Sequence, residues 1–482
     1  MAVKQFRGEV QSDPLMLHTN HTAPKWVLLF FLFLLLAGSM PRTALASFTL
    51  EDENKLGKEF YDKLGKGRFI LQNEQANNFL TLLGERILAH SDKAPFAFKF
   101  SIIRSSAINA FATPGGYVYV NQGLINLVEN EGELAGVLAH EIAHVNGRHI
   151  AEIVDKSQKI NISTLAAVLA GALLGGGGEL TAAVTGFSVA AATSLSLKYS
   201  REQEESADRM GLTYLVAAGY DGKSMLDFLK IMRRYEYYSN TVPSYFLTHP
   251  GTDERSHYID SLLQTTYHRG GADQIIGDLR RIQTILLLDG KPPDANIHHF
   301  LKALKDQPDD TNALYGLAVT EDKLGMVTES LEHFRKALRL APDDPDILRD
   351  LGITLFKLGQ FDEALKNLRR ASELRRNDLN ANLYLGKTLL ALGDMPNALR
   401  LFKNLEERRP DDPESYYNLA LAYGKTGGAG DSHYNFGLYF KKKGKVESAL
   451  FHFKAALKEF PQDHPKAKEI KQEIDSLLHN KI

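Results

Sequence analysis

The segment AHEIAH, Ala139 to His144, sets two histidines four residues apart with Glu141 directly after the first. On an α-helix this spacing turns His140 and His144 to the same side, one turn apart, where both imidazole nitrogens can approach one Zn²⁺ at about 2 Å. Glu141 is rotated by about 100° from His140, so its carboxylate can stand beside the open metal position and take a proton from an activated water. The surrounding EGELAGVLAHEIAHVNGRHI, residues 131 to 150, has no proline and places Leu134, Val137, Leu138 and Val145 at helical spacing, which predicts a helix. The Val137-Leu138 and Ile142-Ala143 pairs beside the histidines would bury this face, which argues against a surface helix with solvated imidazoles.

The chain has no cysteine, so disulfides, thiol catalysis, cysteine-ligated metal and a lipidated cysteine are all excluded, and any metal must sit on nitrogen and oxygen. A catalytic zinc needs a third protein ligand. One known solution places a histidine six residues beyond the second, but that position is Ile150, and His149 is one residue out of step. The stretch SREQEESADRMGLTYLVAAGY, residues 200 to 220, predicts another helix with an acidic start and a stop at Gly219. Three glutamates compete there. Glu204, Asp208, Gly211 and Leu215 form one stripe at i, i+4, i+7 and i+11, whereas Glu202 and Glu205 project elsewhere. Glu204 is therefore the expected ligand, with Asp208 one turn away to hold a ligand histidine from behind.

HEIAHVNGRH, followed some sixty residues later by Glu204-Glu205-Ser206-Ala207-Asp208, resembles the zinc metallopeptidases of the HtpX, Oma and CAAX prenyl endopeptidase group, over about residues 50 to 265. NAFATPGGYVYVNQGLI (109 to 125) and THPGTDER (248 to 255) belong to the same resemblance. It implies an α+β zincin-like (gluzincin) metallopeptidase domain, mostly helical with a small sheet. It further implies one Zn²⁺ per chain on His140, His144 and Glu204, with Glu141 as general base. Gly116, Tyr117, Val118 and Tyr119 would form an edge strand that pairs with an extended polypeptide substrate. His249 and Arg255 would stabilise the oxyanion or hold substrate. His249 has a rival role: on its proline-bounded loop it can fill the fourth zinc position and keep the enzyme latent.

The elements that must position these groups divide the chain. Strand-like FAFKFSII (96 to 103) and YVYV (117 to 120) lie among helical stretches, so residues 47–270 are expected as the metallopeptidase domain, 271–292 as a helical linker and 293–482 as an all-α tetratricopeptide (TPR) solenoid. The last assignment rests on periodicity. Gly325, Gly359 and Gly393 are 34 residues apart, and the same period carries Ser330, Ala364 and Ala398, then Phe334, Leu368 and Phe402. Gly427 keeps the period but Gly444 follows only 17 later, so one helix-length segment is inserted or shared. Such arrays bind helices or extended segments without cleaving them, so a chaperone or scaffold with a structural zinc is the competing reading. A cysteine-free site with a glutamate beside a histidine ligand favours the enzyme.

With 57 basic and 59 acidic residues interspersed, neither a nucleic-acid surface nor a polybasic membrane patch is expected. The amino terminus reads as a secretory signal over residues 1–46: Lys25 precedes the apolar run Trp26 to Gly38, and Ala44-Leu45-Ala46 has a cleavage pattern. Translation can start at Met1 or Met16. An uncleaved anchor is the alternative to a cleaved signal; with cleavage, and with no other apolar run long enough for an integral span, the mature chain is expected in a bacterial periplasm. Residues 162–198 carry two apolar arms around Gly175 to Gly178, expected as a close-packed hairpin over the site rather than a peripheral membrane contact. A signal peptide and a TPR tail on a peptidase of this group imply polypeptide clients, and protein partners such as the outer-membrane barrel assembly machinery.

Overall fold

The computed structural model describes residues 48–156, 198–267, 270–290 and 292–479. The expected signal segment, and the expected hairpin at 162–198 except Lys198, lie outside the described residues. Helices α1 (Leu50–Lys66) and α2 (Glu74–Leu88) precede strands β1 (Lys99–Ile103), β2 (Ala110–Thr113) and β3 (Tyr117–Asn121). The short α3 (Gln122–Ile125) leads to α4 (Glu131–Asn146) and α5 (His149–Lys156). The domain continues with α6 (Arg201–Ala217), α7 (Lys223–Ser239), α8 (Ser244–Thr248) and α9 (Thr252–Thr265).

β3 is the central strand, parallel to β1 with Lys99 opposite Tyr117, and antiparallel to β2 with Ala110 opposite Val120. The edge role expected of Gly116, Tyr117, Val118 and Tyr119 therefore does not hold. A run such as YVYV reads as a strand whether one or both of its edges are paired, and here FAFKFSII returns alongside it. AFAT is one outer strand: among the described residues β2 pairs with β3 alone, while β1, the other outer strand, also meets Ile70 through a bridge at Ile103. The β2–β3 hairpin turns through Gly115 and Gly116 at φ +84° and +87°, a conformation that glycine adopts without strain.

α4 runs through the middle of the domain, with every residue from Glu131 to Val145 buried. Asn130 and Glu133 close its start as a reciprocal capping box, the Glu133 N–H donating to Asn130 Oδ1 at 2.9 Å. Glu131, buried at the first helical position, accepts from Tyr220 Oη and from the backbone N–H groups of Ile275, Ile276 and Gly277 at 2.8, 2.9 and 2.9 Å. That clasp leads into α10 (Leu279–Gly290). The segment expected as a linker is part of the domain: Leu279, Ile282, Ile285 and Leu286 join the same core as Leu134 and Leu138, while Leu288 packs against the helices that follow.

Those helices are α11 (Pro293–Asp306), α12 (Thr311–Leu324), α13 (Val327–Leu340), α14 (Pro345–Lys357), α15 (Phe361–Leu374), α16 (Leu379–Leu392) and α17 (Met395–Arg408), then α18 (Pro413–Lys425), α19 (Ala429–Lys442), α20 (Val446–Glu459) and α21 (Pro465–His479). Small residues let paired helices touch: a Cβ on Gly352, Gly386 or Gly437 would stand 2.6, 2.6 or 2.5 Å from Leu368, Phe402 or Phe453. Ser330 and Ser432 hydroxyls donate to the carbonyls of Ala318 and Ala420, twelve residues earlier in both cases, at 2.8 and 2.9 Å. α19 carries both signatures, Ser432 toward α18 and Gly437 toward α20. The 17-residue irregularity is thus one helix shared by two pairs. The array is tied back to the first domain through Arg281, which donates to Asn312 at 2.7 Å and to both Asp344 oxygens at 3.0 and 2.7 Å, and through Gln75, 2.8 Å from Asp346.

Candidate metal centre

α4 contributes His140, Glu141 and His144, α6 contributes Glu204 and Asp208, the turn after α8 contributes His249, and α9 contributes Arg255. α6 starts at Ser200, whose side chain caps Gln203 N–H at 3.2 Å while Gln203 returns to Ser200 N–H at 3.0 Å, so Glu204 enters the helix in fixed register. Gly211 sets how close the two helices come: a Cβ there would lie 3.1 Å from the backbone of Ala139 and His140. Backbone cannot swing aside as a side chain can. Gly211→Ala is therefore expected to push α6 off α4, costing about 1–3 kcal/mol as overpacking and weakening metal retention. Chemical denaturation together with a competitive zinc titration checks both effects.

The donor atoms converge. His144 Nε2 is 3.0 Å from His140 Nε2, and Glu204 reaches these two atoms at 3.4 Å each through Oε1 and Oε2 respectively. His249 Nδ1 lies 2.9 Å from Glu204 Oε1 and 3.3 Å from His140 Nε2. One donor from each of His140, His144, Glu204 and His249 lies within 4.8 Å of all the others, and all four residues are buried. Separations of 3–3.5 Å are those between ligands of a tetrahedral ion with bonds of about 2 Å, and the all-nitrogen-and-oxygen set suits Zn²⁺. Both carboxylate oxygens of Glu141 are buried without a hydrogen-bond partner among the described residues, and Oε1 lies 3.5 Å from His249 Nε2.

Behind the donors sits a charged layer. His140 Nδ1 meets Asp208 Oδ1 at 2.8 Å, and Asp208 also receives Arg255 Nε and Nη2, both at 2.8 Å, and the Tyr258 hydroxyl. The third guanidinium nitrogen, Nη1, forms an ion pair with Glu204 Oε2 at 2.8 Å. Arg255 is only 3 % exposed and faces both Asp208 and Glu204, so it is the counter-charge of the donor cluster; its Nη1 ion-pairs with Glu204 but makes no hydrogen bond among the described residues. Burial works against both carboxylates, yet Arg255 and the neighbouring histidines hold Glu204 and Asp208 well below the usual carboxylate range. Burial pushes the His144 imidazole down, which leaves it neutral with a lone pair for a metal. For His140, burial and Arg255 act downward, but Asp208 and Glu204 outweigh them and raise it to about 9. Burial also raises Glu141.

Two aromatic rings absent from the sequence-based expectations frame the donors. Tyr199 stacks on His144 with ring centroids 3.9 Å apart, and Tyr245 stacks on His249 at 4.3 Å and 18°. No local spacing marks either residue, because both reach the site through tertiary packing. A cleft lined by Ala112, Thr113, His144, Ile150 and Tyr199 lies between the end of β2 and His144.

With this geometry in hand, the family model for peptidase family M48 matches residues 74–263, and tetratricopeptide repeat models match 309–377 and 355–423. The chain carries an M48 metallopeptidase domain fused to TPR repeats. The chain is 33% identical over 212 residues to a putative beta-barrel assembly-enhancing protease of Vibrio cholerae, covering 44% of each chain. Similarity to the beta-barrel assembly-enhancing protease of Escherichia coli is 29% over 218 residues, 45% of each chain. The mitochondrial metalloendopeptidase OMA1 of Schizosaccharomyces pombe is 27% identical over 218 residues, 45% of this chain and 62% of that one. The chain thus spans less than half the length of the two bacterial relatives. Among solved structures, the TPR protein YrrB (23% identity, TM-score 0.32, 41% of this chain and 97% of that one) and the type IV pilus biogenesis factor PilW (21%, 0.33, 41% and 89%) are similar at the level of the helical repeat alone.

Proposed function

We propose that this protein is a zinc-dependent endopeptidase of the bacterial periplasm that hydrolyses unfolded or misassembled polypeptides, with the TPR array recruiting clients or an outer-membrane protein assembly machine. The observation that carries this reading is the pairing of a buried His140/His144/Glu204 donor set with an adjacent carboxylate, Glu141, that has no hydrogen-bond partner among the described residues. When bound there, Zn²⁺ would polarise the substrate carbonyl and acidify a water. Glu141, raised by burial, takes the proton from the attacking water and delivers it to the leaving amine. An extended substrate pairs with the edge of β2, whose Ala112 and Thr113 border the same cleft as His144. Asp208, held by Arg255, fixes His140 through its Nδ1 so that Nε2 faces the metal.

In the test, the purified protein digests unfolded casein, loses that activity to a zinc chelator and recovers it on adding one equivalent of zinc. Zinc that binds without any cleavage leaves the scaffold reading in possession. The array's part is tested by trapping clients on an inactive variant with and without residues 293–482. The relatives' names, beta-barrel assembly-enhancing protease, support an envelope role, and no helix among the described residues is long and apolar enough to cross a membrane.

His249 fits the fourth donor position better than a substrate contact, because its Nδ1 already lies within the donor set. X-ray absorption of the resting zinc protein is expected to count three imidazoles, falling to two in His249→Ala, with basal hydrolysis rising several-fold. Two imidazoles in the wild type would remove the latent-state role.

A further inference from the structure

His149 is out of step for metal binding, yet the chain takes a costly route to bring it back to the site. After α4, Arg148 adopts the left-handed region at φ +51°, unusual for a residue with a side chain, and its guanidinium is pinned to buried Glu53 at 2.7 Å. Gly147 leaves room for the returning ring: a Cβ there would stand 2.5 Å from His149 Nε2. The result is a buried imidazole whose Nδ1 lies 2.9 Å from Nδ1 of His144. The backbone of His149 is in turn joined to α6, its carbonyl accepting from Gln203 Nε2 at 3.4 Å, one residue before Glu204.

We infer that His149 is the positioning residue for the second histidine ligand, accepting a hydrogen bond from His144 Nδ1–H and thereby committing His144 Nε2 to the metal. A neutral imidazole carries one N–H and one lone pair, so with Nε2 turned toward His140 and Glu204, the proton of His144 must sit on Nδ1 and needs an acceptor. His149 Nδ1 is that acceptor. The two ligand histidines are then held differently: His140 by the anionic Asp208, His144 by a neutral ring. An anionic partner strengthens a ligand's basicity more than a neutral one does, so the ion's ligand field is graded across the two histidines.

This inference rests on the zinc reading above, and its test separates the two. Zinc affinity by competitive titration and the visible spectrum of the Co²⁺-substituted protein are compared for wild type, His144→Ala, His149→Phe, His149→Asn and Gly147→Ala, with folding followed by circular dichroism. Loss of metal in His144→Ala establishes the ligand set; unaltered binding there sinks the zinc reading itself. His149→Phe, which keeps the ring but no acceptor, is expected to bind zinc about 10- to 100-fold more weakly with shifted cobalt bands. His149→Asn, whose amide oxygen falls where Nδ1 stood, is expected to restore both. Gly147→Ala, which displaces the His149 ring, is expected to reproduce the phenylalanine variant, and decides the matter if that variant fails to fold. Wild-type affinity and spectrum in His149→Phe or Gly147→Ala, or an asparagine variant as impaired as phenylalanine, overturns the assignment.

Discussion

Glu141→Gln is expected to keep zinc and lose peptide hydrolysis, by about 10²- to 10⁴-fold, the range a positioned general base contributes. The two side chains are nearly isosteric, so neither the α4 core nor the donor atoms of His140, His144 and Glu204 need move. What is lost is the ability to accept a proton. Both oxygens of Glu141 are buried beside the donor cluster, Oε1 lying 3.5 Å from His249 Nε2. An amide in the same place cannot take the proton from water or return it to the leaving amine. Zinc content by elemental analysis and cleavage of unfolded casein, in a preparation free of other proteases, read the two halves separately. Full cleavage by the glutamine variant would show that the water is activated elsewhere.

Arg255→Ala is expected to be the most destabilising single change at the site, by about 3–5 kcal/mol in the metal-free protein, because it strands two buried carboxylates. Asp208 and Glu204 are 0 % and 1 % exposed, and among the described residues Arg255 is the one cation of fixed charge that meets both. Bound zinc carries positive charge of its own next to Glu204, so the loss should be smaller in the zinc-loaded protein. Urea unfolding of both forms measures the difference. The pH dependence follows from the same contacts. Both carboxylates are held below their ordinary values, so they contribute stability that is present above about pH 4.5 and is lost as pH falls further. That acid-side slope should flatten in Arg255→Ala. Arg255→Lys keeps the charge but cannot span Asp208 bidentately, and should fall between the two. Wild-type stability in Arg255→Ala would mean the guanidinium is not the counter-charge described above.

Some of this was legible in the residues and some was not, and the division is physical. Helical period alone placed His140 and His144 on one face and picked Glu204 and Asp208 from among competing acids, since neighbours on a helix follow from spacing with no reference to the rest of the chain. The TPR array was legible for the same reason: a 34-residue period repeats one local unit. The strand YVYV was recognised, but its place was not, because edge and centre differ only in what lies alongside. AFAT lies within the segment 109–125 that resembles the family's edge strand, but nothing in its local pattern sets it apart from YVYV as the outer strand.

Arg255 and His149 make the sharper contrast. THPGTDER suggested chemistry for Arg255, and the distance of His149 from the ligand register suggested none. In the folded protein Arg255 is enclosed by Asp208 and Glu204, and His149 stands against His144. The residue types and spacing of the chain by themselves determined the candidate metal donors on α4 and α6, the glutamate beside them, and the repeat that follows. Only tertiary structure decided which strands lie on the outside of the sheet, that α10 is core instead of linker, and which residues stand behind the donors. Those outcomes depend on groups far apart in sequence sharing one buried volume, where each charge and N–H must find its partner, and no local pattern records that pairing.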